Sequence, residues 1–140
     1  MTHIDTIRPP NRERADSAPA IADTIADLTR LLNRTVCYPG GLTNPGDAYR
    51  ITGALMETAM RLPQSTDAIS RYLTRQAARG TLRIDNGSNA VAHTARVADA
   101  IRTANQHARL LEQALAEAFS LTGAIGYHAE HDDSQHGEAR

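Results

Sequence analysis

Arginine, histidine and cysteine are the side chains here whose types and spacing suggest chemistry. Arg71, Arg75, Arg79 and Arg83 recur every fourth residue, which stacks positive charge one turn apart along a helix. Together with Arg61 they form a candidate face for nucleic-acid phosphates or for an acidic partner, since each guanidinium neutralises one phosphate. Residues 48–83 carry six arginines against Glu57 and Asp67, a local charge of +4, whereas residues 84–140 carry four arginines against eight acids, or -4. A solvated face gives the same pattern, because Asp67 stands one turn before Arg71. Only Tyr72 interleaves the stripe, and its position predicts an inward side chain. Nucleic-acid binding is therefore carried as the alternative and not as the first reading.

His128, His131 and His136, interspersed with Glu130, Asp132 and Asp133, are metal-ligand types at chelating spacing. A tail without supporting second contacts binds weakly, so this is a further alternative: weak metal binding through the C-terminal histidines. His93 and His107 are fourteen residues apart, about 21 Å along a helix, and cannot share an ion. They are expected to be partly buried, neutral imidazoles. Cys37 is the sole cysteine, which excludes an intrachain disulfide. A nucleophile needs a base and an orienting group, and nothing singles one out, so a buried or inert thiol is expected. Gly40-Gly41 is neither preceded by a strand nor followed by Gly-Lys-Ser/Thr, so it is not a phosphate loop. No paired catalytic carboxylates occur. The residues thus assign no catalytic, cofactor or metal site, and a non-enzymatic protein is expected.

These side chains must be positioned by helices. All 15 basic residues are arginine and alanine is the commonest residue. Alanine is the best helix former but contributes little apolar area, at about 25 cal/mol per Å². With one Phe, four Tyr and no Trp, the core is thin for the chain's length. The net charge of -1 creates no bulk attraction to nucleic acid or anionic membrane. No run approaches the ~20 apolar residues of a membrane span, and Met1 to Asn11 lacks an apolar signal core. A cytoplasmic protein is expected.

The polar segment 1–17 reads as a disordered tail. Ser17 is a candidate N-cap for a helix with Ile21, Ile25, Leu28 and Leu32 at helical spacing, ending near Arg34. Val36 to Gly46, rich in Gly and Pro, is a loop. Asp47 is a candidate cap for an arm whose seam runs Ala48, Ile51, Leu55, Thr58, Leu62, Ser65, Ile69, Tyr72, Gln76 in heptad steps. Thr52, Met56, Ala59, Thr66, Leu73 and Ala77 widen that stripe. The phase survives Pro63, which predicts one kinked helix or two coaxial segments. Gly80 is a C-cap, and Leu82 and Ile84 alternate with Arg83 and Asp85 before an Asn86-Gly87 turn. Ser88 is a candidate cap for the last helix, with the seam Ala90, Thr94, Val97, Ile101, Ala104, Ala108, Leu111, Leu115, Ala118, Thr122, Ile125. Residues 127–140 read as a disordered acidic, His-containing tail.

These elements predict an all-α fold. Its arms, one kinked at Pro63 and one unbroken, form an antiparallel helical hairpin. A shorter N-terminal helix completes a small bundle domain over 18–126. Arg61-Leu62-Pro63-Gln64, the link Gly80-Thr81-Leu82-Arg83-Ile84-Asp85-Asn86-Gly87 and the alanine-rich helix after it resemble small helical proteins of actinobacterial plasmids, phages and integrated elements, over Tyr49 to Ile125. That resemblance implies the fold and no activity. The helical-hairpin substrates of type VII secretion differ, because their Trp-x-Gly turn is absent here.

The function expected is that of a helical scaffold or adaptor acting through self-association or a protein partner, with no cofactor. Four of the eleven seam residues of the last helix are alanine, so extra burial from a second copy is expected. A homo-oligomer, with a dimer favoured, is the expected partner state. Leu110, Phe119 and Leu121, outside or beside that seam, are the candidate oligomer face.

Overall fold

The computed structural model describes residues 17–127. The terminal segments assigned as tails, including His128, His131 and His136, lie almost wholly outside the described residues. The described chain is all-α, with three helices: α1 (Ala18–Cys37), α2 (Pro45–Ala78) and α3 (Ala90–Thr122). It divides into two compact units at Thr43/Asn44, where the sequence suggested one bundle domain.

In the first unit, Ser17 caps α1 by accepting a hydrogen bond from the Ala20 N–H, with Pro19 in the first turn. The helix continues three residues beyond Arg34. Its end explains the paired glycines. Gly40 has φ of 83°, which favours a residue without Cβ. A Cβ on Gly41 would lie 1.8 Å from the Thr35 carbonyl oxygen. The pair therefore lets the chain fold back over the helix terminus. Along the apolar stripe of α1, Ile21, Ile25 and Leu28 are exposed and Leu32 is half-buried, and no residue of the helix is buried.

The second unit is the hairpin of α2 and α3. Asn44 caps α2, accepting from the Asp47 N–H, while the Asp47 carboxylate accepts from the Asn44 N–H. Asp47 is thus the reciprocal member of a capping box and not the cap itself, because Pro45 already serves as the first helical residue. The helix runs unbroken through Pro63. It ends on Gly80, at φ of 70°. There the Gly80 N–H donates to the Ala77 carbonyl and the Thr81 N–H to that of Gln76, the pairing of a Schellman motif. In the link, Leu82 and Ile84 are half-buried while Arg83 and Asp85 are exposed, as the alternation predicts. Gly87 closes the turn with its N–H on the Ile84 carbonyl. Asn89, one residue after Ser88, caps α3.

Three pairs fix the register. Tyr49 lies against Gly123, Gly53 lies against Phe119, and Thr66 bonds Asn105. As one helix advances the other recedes, so the pair is antiparallel. The Tyr49 and Phe119 rings stack at 4.3 Å between centroids. Gly53 makes room for this, since a Cβ there would lie 2.7 Å from the Phe119 ring.

The helix–helix seam differs in phase from the one the spacing predicts. On α2 the stripe withdrawn from solvent along the whole helix is Thr52, Met56, Ala59, Pro63, Thr66, Ser70, Leu73 and Ala77, six of which widen the predicted stripe; of the predicted seam itself Ala48, Ile51 and Gln76, near the helix ends, are half-buried. Leu55, Leu62, Ile69 and Tyr72 of the predicted seam are exposed, and of its large members only Ile51 is half-buried. On α3 the prediction holds at Ala90, Thr94, Ile101, Ala108, Leu115 and Thr122, and Val97, half-buried, lies beside Ala98 at the seam's margin. Asn105, Glu112 and Phe119, however, occupy the seam alongside or in place of Ala104, Leu111 and Ala118. Two adjacent heptad stripes exist on each helix, and small residues decide which one faces the partner. Ala59, Ser70 and Ala77 let the backbones approach closely, whereas Leu and Tyr at those positions would hold them apart.

The seam carries one polar cluster. Asn105, buried, donates through Nδ2 to Asp67 Oδ1 at 2.7 Å and accepts from the Thr66 hydroxyl at 2.6 Å. A satisfied polar group at a core position fixes helix register, because any slip leaves it unpaired. Asp67→Ala is expected to destabilise the hairpin by about 1–2 kcal/mol, since the Asn105 amide loses its acceptor. Adding Asn105→Leu should recover most of that loss. Urea denaturation of the two variants checks this: additive losses would show that the groups are not coupled.

Candidate interaction surface

The contacts Gly53–Phe119, Asp67–Asn105 and Tyr49–Gly123 share one edge of the seam. In each, the residue just after a seam position (Gly53, Asp67, Gly123) lies against the opposite helix. In an antiparallel pair, like positions of the two helices flank the same edge. The residues just before seam positions therefore meet on the other edge: Leu55, Leu62 and Ile69 from α2, and Val97, Ala104, Leu111 and Ala118 from α3. Thr58, Ser65 and Tyr72 extend this surface outward on α2, as His93, Ala100, His107, Ala114 and Leu121 do on α3.

This surface has two measurable properties. None of its positions between 51 and 76, or between 90 and 122, is Asp, Glu or Arg. Six of the ten large exposed apolar residues of the two helices lie on it, Ile69 at 54 % and Leu111 at 50 % exposure among them, while Tyr49, Met60, Val91 and Leu110 lie elsewhere. The arginines and carboxylates of both helices lie elsewhere, two pairs of them joined along their own helix: Arg61 with Glu57 at 3.2 Å and Arg102 with Asp99 at 2.8 Å. Exposed pairs of this kind contribute at most about 1 kcal/mol. The hairpin is therefore amphipathic across its width, like a single amphipathic helix on a larger scale.

The residues singled out by sequence fall in three places. Arg71 and Arg75 stand exposed on α2 and Arg79 caps it, whereas Arg83 leaves the stripe because the helix stops at Ala78; its guanidinium lies 3.5 Å from Asp85. The charge contrast between the arms also changes. Within α3 three arginines balance Asp99, Glu112 and Glu117, so the -4 resides in Asp85 and the segment beyond the helix. Of the candidate oligomer residues, Leu121 lies on the uncharged surface. Leu110 points away from it at 61 % exposure, beside Arg96, Thr103 and Glu117 on the outer face. Phe119 is half-buried in the hairpin against Tyr49, so its ring serves the intrachain seam. The signal for Leu55, Leu62, Ile69 and Leu111 is the heptad spacing itself, which by periodicity alone predicts them in the interior.

Cys37 is exposed at the end of α1 and not buried. His93 is half-buried and His107 exposed. Among the described residues, no group of three or more His, Cys, Asp or Glu side chains could hold a metal ion, and no helix is long and apolar enough to cross a membrane. Shallow depressions on the first unit are lined by Asp27, Arg30, Leu31 and Arg34, and by residues from Leu31 to Gly41. They hold no pair of groups suited to acid–base or nucleophilic work. No family model, curated protein or solved structure matches the chain.

Proposed function

We propose that the protein is a non-enzymatic helical scaffold that acts by self-association. One observation carries this reading: the residues the hairpin fully buries are small or polar, and Leu55, Leu62, Ile69, Tyr72, Leu111 and Leu121 are left exposed. Among the described residues only Ala59, Ala77, Thr94 and Asn105 are buried. A helix pair whose Leu, Ile and Tyr side chains remain in water forgoes about 1.5–3 kcal/mol for each large side chain left uncovered. Elements with an apolar face are stable when a further layer covers it. Light scattering on the full chain tests the reading. A mass above 15.1 kDa that grows with concentration is expected, and a mass fixed at 15.1 kDa at micromolar and higher concentrations refutes it.

A second reading rests on a different observation. Among the described residues, Arg71, Arg75 and Arg79 form no ion pair, so this stripe is available to phosphate. Binding of duplex DNA that weakens steeply with salt, and is lost in Arg71→Ala/Arg75→Ala, would favour an accessory role on nucleic acid. Unchanged fluorescence anisotropy of labelled DNA at low salt removes it.

A further inference from the structure

Resting on the self-association reading, we infer that the occupant of the uncharged hairpin surface is a second copy of the same surface, giving a two-fold four-helix bundle. The surface centres on Leu55, Leu62, Ile69 and Tyr72 of α2 and on Leu111 and Leu121 of α3, all exposed.

Three features select a second copy. The first is area. From Ile51 to Gln76 the surface is about 38 Å long at ~1.5 Å per residue. Two helices with axes ~9 Å apart make it roughly 20 Å wide. The product, on the order of 750 Å², matches the ~800 Å² per partner of a standard stable interface.

The second feature is chemistry. Over this length neither helix presents Asp, Glu or Arg, so a partner carrying charge there would have to strip it of water without compensation. An uncharged, Leu- and Ile-rich counterpart suits it, and the surface is its own counterpart. The third feature is outline. Helices of 34 and 33 residues running antiparallel present two parallel ridges of nearly equal length. A copy related by a two-fold axis presents the same two ridges, which is the isologous arrangement. Stacking the two gives the layered packing of a four-helix bundle, with the charged edges outward. The small residues of the intrachain seam then lie beneath a second layer containing the large ones.

Sedimentation equilibrium of the full chain and two sets of variants tests the assignment. The wild type is expected at about twice 15.1 kDa. Leu62→Glu/Ile69→Glu should raise the dimer dissociation constant about 100-fold or more, since each copy brings two unpaired charges into the contact. Its helical circular dichroism should remain, because neither residue is buried within the hairpin. Leu62→Ser/Ile69→Ser, milder at the same positions, should weaken the dimer without adding charge, and stands in should the glutamate pair fail to fold. Leu110→Glu, on the outer face, should leave the dimer intact. A dimer unaffected by the Leu62 and Ile69 variants overturns the surface while keeping the scaffold reading. Dissociation by Ile25→Glu alone, with the Leu62 and Ile69 variants dimeric, assigns association to α1 and also overturns it. A monomeric wild type overturns both.

Discussion

Replacing Ala59 by leucine should destabilise the hairpin by about 2 kcal/mol, the usual cost of overpacking a close contact. For a domain of this size that lowers the melting temperature on the order of 10 °C. Ala59 is 2 % exposed, the most buried residue of the hairpin's core. It lies in the seam one turn before Pro63 and faces α3 near Glu112 by the register of the three fixed pairs. A leucine there has no solvent to move into and must force the backbones apart. The effect propagates, because the Thr66–Asn105–Asp67 cluster depends on the same separation. Ala54→Leu, on the exposed side of the same helix, should change stability by less than about 0.5 kcal/mol. Equal melting temperatures for Ala59→Leu and the wild type would mean that the small-residue stripe is not the seam.

The second large effect concerns Phe119. Truncating a fully buried Phe costs about 3–5 kcal/mol, and Phe119 is half-buried. About 2 kcal/mol is therefore expected for Phe119→Ala, including the loss of the stack on Tyr49, itself worth about 0.5–1.5 kcal/mol. Tyr49→Phe keeps both rings and should leave the denaturation midpoint nearly unchanged. The pair also separates two roles for Phe119. As part of the intrachain seam, its truncation lowers stability at unchanged dimer affinity. A dissociated dimer at unchanged monomer stability would return it to the oligomer face suggested by the sequence.

The boundaries of the elements were largely legible from local chemistry. Ser17, Gly80 and the Asn86-Gly87 turn act through backbone geometry that a few neighbouring residues determine. The errors there were of one to three residues. Asn44 displaced Asp47 as the cap because Pro45 is itself a good first helical residue. Asn89 took the role expected of Ser88. Pro63 leaves α2 a single helix and not the two coaxial segments that the heptad phase equally allowed.

What the sequence alone determined is that each arm is a long helix with a broad uncharged stripe, and that the two arms are of matching length. That follows from periodicity, which is a property of a single helix. Which part of the stripe faces the other arm is a property of the pair. Positions one residue apart differ by about 100° on a helix, so Leu55 and Met56, or Leu111 and Glu112, exchange inside for outside with a rotation of that size, which the periodicity of one helix does not fix. The heptad spacing predicts the largest side chains inside. The tertiary structure centres the seam on Ala59 and Ala77, which the spacing puts at the margin of the stripe, and adds Ser70 and Asn105, since close approach of the backbones and a satisfied hydrogen-bond cluster together favour small residues at the seam. The displaced Leu55, Leu62, Ile69 and Leu111 then form a surface that neither helix shows by itself, because it exists only where the two stripes meet along one edge of the hairpin.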